Sequence, residues 1–326
     1  MSTPAPVPRF AVPERLDPAA LSSVDPKAAI LDLAGETMGT RWSVRLALPS
    51  DRDDGGGLAG VVQKRLDGIV AEMSHWQPES LLSRYNASAP GSWTALPRDF
   101  ARVIACALDV AERSAGAFDP AIGRLTDLWG LGPTRRPAPS DAQIAATLAH
   151  AGWRKLAFDP ETARLRQPGG LWLDLSGIAK GHAADAAADA LRAEGIRHAL
   201  VEVGGEFAGR GMRPDGDPWW VELEAPPGFD LPPLRVALHQ LAVATSGDYP
   251  RGAHTLDPKT GKPAVHATTS VSVVHDSCMA ADAWASALSV LAPREARALA
   301  AREKLAARLI DRAGGEWLSP AFQQML

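Results

Sequence analysis

The stretch Asp276-Ser-Cys-Met-Ala-Ala-Asp-Ala-Trp-Ala-Ser286 decides how the last third of the chain is built. From Met279 to Leu291 it holds good helix formers and neither Pro nor Gly, which predicts a helix. Asp282 and Ser286 then share one face of that helix, one turn apart. A carboxylate and a hydroxyl so placed are hard oxygen donors that suit Mg²⁺ or Ca²⁺ and suit zinc poorly. The same spacing also occurs on solvated helix faces, so it needs support from the rest of the chain. Outward from the helix, Ser270–Val274 reads as a strand, Arg294–Lys304 as a second helix, and Ala307–Asp311 with Glu316–Leu318 as a hairpin around Arg312-Ala-Gly-Gly315.

Further upstream the same reading gives a strand at Trp42–Leu48 and a helix with apolar positions Leu58, Val61, Val62, Leu66, Ile69, Val70 and Met73. A second amphipathic helix carries Phe100, Val103, Ile104, Ala107 and Ala111, and a further helix starts at Ser140 or Asp141. Trp172–Leu175 reads as a short strand that runs into an Ala-rich helix, and Ala199–Val203 as a strand that stops at Gly204-Gly205. Trp219–Glu224 and Leu241–Ala244 complete the strands. Helices and strands alternate without a strict βαβ rhythm, so an α+β fold is predicted, with mixed sheets and packed helices. Residues 1–34, rich in Pro and Ala and without a period, read as a partly ordered arm, and 35–326 as one domain.

Composition excludes several classes of function. The 326 residues are 46% hydrophobic and 22% charged, with a net charge of −4. With a pI near 6.1 there is no basic footprint for nucleic acid or an anionic membrane. No window of 18 apolar residues is free of charge, so no membrane span is expected. Met1-Ser-Thr-Pro-Ala-Pro-Val-Pro-Arg9 shows no signal pattern, so the expected location is the cytoplasm, or the periplasm if a leader is missing. Cys106 and Cys278 stand far apart in apolar surroundings and read as buried free thiols.

Several short segments carry chemistry. Asp174-Leu-Ser-Gly-Ile-Ala-Lys-Gly181 turns from strand to helix, and its unpaired amides with Lys180 suit an anion; a tight packing turn is the alternative. Val203-Gly-Gly-Glu206, followed by Gly209 and Gly211, reads as a turn open to a flat ligand. Ala244-Thr-Ser-Gly-Asp248 bunches hydroxyls at a strand end. Ala117-Phe-Asp-Pro120 reads as a helix exit that leaves Asp119 free to bind something polar. His254-Thr-Leu-Asp-Pro-Lys-Thr-Gly261 is a turn.

Taken in order, these segments together with Met38-Gly-Thr40, Ser74-His-Trp-Gln-Pro-Glu-Ser-Leu-Leu-Ser-Arg-Tyr-Asn86, Phe118-Asp-Pro-Ala-Ile-Gly123 and Leu128-Trp-Gly130 resemble the ApbE family of FAD:protein FMN transferases, over roughly residues 35–320. The resemblance implies an ApbE-like, T-fold-related core. It also implies Mg²⁺-dependent transfer of FMN from FAD to a Thr or Ser hydroxyl of an acceptor protein, through a phosphoester bond, with release of AMP. By this resemblance the FAD contacts fall on Met38, Ala117, Phe118, Asp119, Asp174, Lys180 and Leu256, and Trp76 lies against the flavin. The metal ligands fall on Asp282, Ser286 and the carbonyl of Gly177, and the catalytic residues on His254 and Asp282. The alternatives are an FAD-binding protein and an FAD pyrophosphatase. Two features depart from the family's pattern: Ser286 stands where Thr is common, and family members are often exported lipoproteins.

Overall fold

The computed structural model describes residues 7–52, 55–248, 255–264 and 268–326. The first half of the chain forms β1 (Arg9–Ala11), α1 (Pro18–Leu21), β2 (Ala29–Thr37), β3 (Thr40–Leu48), α2 (Leu58–Met73), α3 (Leu81–Ala87), β4 (Trp93–Ala95), α4 (Arg98–Arg113), α5 (Gly123–Leu128), α6 (Asp141–Leu148), β5 (Ala157–Asp159) and β6 (Arg164–Arg166). The second half continues with α7 (Ala179–Ala193), β7 (Ala199–Val203), β8 (Glu206–Arg210), β9 (Trp220–Glu222), β10 (Leu234–Ala237), β11 (Ala242–Gly247), β12 (Thr268–His275), α8 (Cys278–Ser289), α9 (Pro293–Arg302), β13 (Ala306–Asp311), β14 (Glu316–Leu318) and α10 (Pro320–Gln323).

One eight-stranded sheet, in the order β14-β13-β12-β11-β8-β7-β3-β2, forms the backbone of the molecule, and every pairing in it is antiparallel. Mixed pairing is confined to the small sheet β1-β10-β9, where β1 runs parallel to β10. The fold is therefore α+β. In β3 the residues Trp42, Val44 and Leu46 point to the core and alternate with exposed Arg41, Ser43 and Arg45. In α2 the predicted positions Leu58, Val62, Leu66, Ile69 and Met73 are buried, Val61 and Val70 are half-buried, and the helix packs on α7. Truncating a fully buried member such as Leu66 to Ala would cost about 2–5 kcal/mol.

The two faces of the sheet are covered differently. Helices α2, α4, α7 and α8 cover one face, and the small sheet with Phe322 and Met325 covers part of the other. Residue 35, the expected start of the domain, lies inside β2, and Arg9–Ala11 are already paired with Leu234–Val236. Ten residues before Ser140 the chain is irregular; at Ser140 itself a capping box with Gln143 starts α6. Both cysteines are free thiols; Cys278 is buried and Cys106 half-buried. No described helix is long and apolar enough to cross a membrane.

Two segments depart from the sequence reading. Trp172–Leu175 is extended but joins no sheet. Its backbone groups are taken by other partners: Leu173 N and O bond the Asn86 side chain, Trp172 O accepts from Gly123 N, and Asp174 N donates to Pro120 O. The glycine-rich run after Val203 is a turn only at Gly204-Gly205, whose φ values of +60° and +99° suit a two-residue hairpin. Beyond it lies β8, where a Cβ on Gly209 would sit 1.5 Å from Leu238 O. Gly209 is therefore needed for backbone crossing and leaves no room for a flat ligand.

Candidate active site

The candidate site lies where the lead-in to α7 meets α8. The Asp282 carboxylate is buried, and its Oδ2 accepts from Gly181 N at 3.0 Å. Ser286, one turn further along α8, places Oγ 3.5 Å from the carbonyl oxygen of Gly177. A Cβ on Gly177 would lie 2.6 Å from Ser286 Oγ and 3.4 Å from Phe118 Cε2, so the approach of hydroxyl to carbonyl needs glycine. Gly181 is equally constrained, since a Cβ there would meet Cys278 O at 2.2 Å. Gly177, Asp282, Ser286 and Phe118 are thus brought together.

The donor set fits a hard cation. It offers one carboxylate, one carbonyl and one hydroxyl, and Mg²⁺ is commonly held by one or two carboxylates together with substrate phosphates. Among the described residues no three His, Cys, Asp or Glu side chains converge on one point. A cation held here would therefore depend on ligand oxygens as well as on the protein. Burial pushes the Asp282 carboxyl pKa up, and the positive charge of Lys180 pulls it back. A buried carboxylate of this kind gains from a cation beside it.

Lys180 sits next to Gly181 on α7 and ion-pairs with Glu206 Oε1 at 2.5 Å. Its Nζ also lies 3.4 Å from Gly204 O in the β7–β8 turn. Glu206 is 2% exposed, and its Oε2 has no partner among the described residues. Burial, and next the Asp282 charge, push the Glu206 pKa up to about 8, against the pull of Lys180. Sequence reasoning missed Glu206. The signal was available: two residues before Ala208 in β8, the period-two alternation places Glu206 on the helix-covered face.

Other expected contacts lie on neighbouring turns and loops. Met38, at φ +50°, and Gly39, at +69°, make the two-residue turn between β2 and β3. The Thr40 and Lys180 side chains both crowd Gly204, which places this turn near Lys180. Asp174 accepts from Thr126 Oγ1 at 2.5 Å and from Ser176 N at 2.8 Å, with His75 Nδ1 at 4.0 Å. Burial would raise its pKa, but His75 and these donors outweigh it and hold the carboxyl below its ordinary value. Trp76 is 59% exposed, with its ring 5.5 Å from that of His75.

The structure places the remaining expected residues less favourably. Asp119 is not free: it is buried and accepts from Ala121 N at 2.8 Å and Trp153 N at 3.0 Å, so it ties two loops together. Burial pushes its pKa up to about 6 against those hydrogen bonds. Ala117 and Phe118 are buried beside it. Leu256 belongs to a separate small core with Leu125 and Ile144, held there by a bridge to Pro263. His254 lies outside the described residues. On the far side of Ser286, Ser289 Oγ donates to Ser286 O at 2.8 Å and begins a hydroxyl-lined recess. The buried hydroxyls of Thr269 and Ser270 in that recess have no partner among the described residues.

The chain as a whole is similar to known proteins. The ApbE family model matches residues 38–309. The FAD:protein FMN transferase of Escherichia coli (strain K12) is 33% identical over 312 residues, covering 90% of this chain and 88% of its own length. The apo crystal structure of the Pseudomonas stutzeri flavinyl transferase ApbE superposes with a TM-score of 0.85 at 33% identity, covering 91% of this chain and 97% of that one. The flavin transferase ApbE from Vibrio cholerae gives a TM-score of 0.84 at 31% identity, over 92% and 100% of the two chains. The chain belongs to the ApbE family, a family of enzymes.

Proposed function

We propose, from membership of the ApbE family, that this chain is an FAD:protein FMN transferase. In this reading it moves FMN from FAD to a Thr or Ser hydroxyl of an acceptor flavoprotein and depends on Mg²⁺. The observation that carries the reading is the convergence of Gly177 O, Ser286 Oγ and the buried Asp282 carboxylate beside Lys180. Those donors are of the kind that pyrophosphate cleavage needs, because charge builds on phosphate oxygens.

Gly177, Asp282 and Ser286 are the residues that would hold Mg²⁺, which when bound neutralises the phosphate oxygens around the breaking bond. Lys180, fixed by Glu206, supplies a second positive charge toward the same oxygens. Met38, Ala117, Phe118, Asp119, Asp174 and Leu256 are assigned to FAD by resemblance, with the exposed Trp76 free to cover the flavin. The acceptor oxygen bonds to the flavin-side phosphorus while the bond to the AMP phosphate breaks, and AMP leaves. The hydroxyl proton passes to His254 in this reading.

Incubation with FAD, Mg²⁺ and an acceptor domain tests the proposal by mass spectrometry. Transfer adds one FMN less water to the acceptor and releases one AMP per acceptor. AMP without a mass gain would mean hydrolysis, and neither product would mean binding alone. In either of those cases the proposal fails.

A further inference from the structure

Helices α7 and α8 meet in a three-rung antiparallel ladder. The lead-in carbonyl of Gly177 meets Ser286, Gly181 N meets Asp282, and Asp185 meets the start of α8 at Ser277 and Met279. Each step of four residues along α7 is matched by a step of about four back along α8, so consecutive rungs lie about 6 Å apart. The first two rungs contain the residues assigned above to the cation. The third contains none of them, and nothing in the chemistry described so far uses it.

That third rung is strongly built. Asp185 Oδ2 accepts from Ser277 Oγ at 2.9 Å and from Met279 N at 3.0 Å, while Oδ1 accepts from Arg210 Nη2 of β8 at 3.0 Å. Ser277 is the N-cap of α8: its oxygen accepts from Ala280 N as its hydrogen goes to Asp185. A buried carboxylate thus sits at the positive end of α8 and takes one of its unpaired amides. It ties three elements, α7, α8 and β8, through one side chain.

We propose that Asp185 is a positioning residue that sets the register of α8 on α7, and through it the geometry of Gly177, Asp282 and Ser286 as a cation site. The inference rests on the assignment of those three residues to a metal. Outer partners that orient metal ligands typically contribute about 10- to 100-fold to metal affinity, and Asp185 acts in this way across a whole helix turn.

Mn²⁺ binding, read from the free-ion paramagnetic resonance signal in the presence of FAD, tests the proposal on the full chain, with thermal melting run in parallel. Asp282→Ala defines the site and should abolish tight binding. Asp185→Ala should weaken Mn²⁺ binding by about 10- to 100-fold while FAD affinity, read by flavin fluorescence, stays within about threefold. Asp185→Asn keeps an acceptor for Ser277 or Met279 and should recover most of the loss. Ser277→Ala removes one donor and should shift Mn²⁺ affinity in the same direction, by less, which keeps the test available if Asp185→Ala does not fold. Wild-type Mn²⁺ affinity in Asp185→Ala or, if that variant does not fold, in Ser277→Ala, whatever the change in melting temperature, would make the rung purely structural and overturn the proposal. Absent binding in the wild type, or undiminished binding in Asp282→Ala, would instead remove the metal assignment, and the register proposal with it.

Discussion

The α7–α8 pair and the loops around Asp174 and Asp119 present chemistry in opposite ways. In the helix pair, small residues bring two regular backbones close enough for carbonyl, amide, carboxylate and hydroxyl to meet directly. In the loops the backbone is irregular, and polar side chains replace the missing secondary structure: Asn86 and Gln167 pin 171–173, and Asp119 pins 121 and 153. The difference implies a division of labour. Substitutions at the cation-facing side chains Asp282 and Ser286 should change chemistry more than stability, whereas substitutions in the loops should change stability and flavin affinity together.

The largest effect is expected at Asp282, the one charged side chain among the proposed metal ligands. Asp282→Ala should lower Mg²⁺-dependent turnover by orders of magnitude, and wild-type turnover at limiting Mg²⁺ would remove the carboxylate from the site. His254→Ala comes next, with an expected loss of about 10²–10⁴-fold in transfer and FAD binding kept within a few-fold. Parallel fluorescence titration and transfer assays separate these two effects.

A smaller effect is expected where the helices touch. An added Cβ at Gly177 must displace Ser286 Oγ, so Gly177→Ala and Ser286→Ala should each raise the Mg²⁺ concentration for half-maximal rate. Combining the two should add little to either alone, because both act through one contact. Ser286→Thr keeps the oxygen and should remain active. An unchanged Mg²⁺ requirement in Ser286→Ala would place that hydroxyl outside the site.

The loop side of the comparison predicts stability effects. Asn86→Ala strands Leu173 N and O and should cost about 1–3 kcal/mol for each group left without a partner, seen as a lower melting temperature with weaker FAD binding. The smallest effect is a pH dependence at Asp119. Its folded pKa of about 6 lies above the unfolded value of 3.8, so the native state holds the proton more tightly. Its contribution is fully present below about pH 4 and fades as pH rises through 6. Asp119→Asn should flatten that part of the melting-temperature profile relative to wild type; parallel profiles from pH 4 to 7 would contradict the assignment.

The same contrast explains what the sequence reveals. The stripe of α2, the alternation of β3, the break-free run of α8 and the Gly204-Gly205 turn follow from local periodicity, and the structure contains all four. Trp172–Leu175 has strand-like composition but forms no sheet, because its partners come from residues far away in the chain. The freedom expected of Asp119 is lost for the same reason: its partner Trp153 is 34 residues on. Glu206 and Asp185 were passed over because single acidic residues in a strand and in an Ala-rich helix look like solvated positions. The alternation of β8 is the one local sign for Glu206, and for Asp185 only tertiary packing shows burial against the α7–α8 ladder.

The position of a bound divalent cation is the most direct test of the helix pair as the catalytic centre. Crystals grown with FAD and Mn²⁺ should show an anomalous peak between the α7 lead-in and α8, bonded to Asp282, to Ser286 Oγ and to Gly177 O at about 2.1–2.3 Å. The remaining positions around the ion should be filled by FAD phosphate oxygens. A peak held instead by Asp174 or Asp119, with Asp282 still bonded only to Gly181 N, would contradict the helix pair as the catalytic centre.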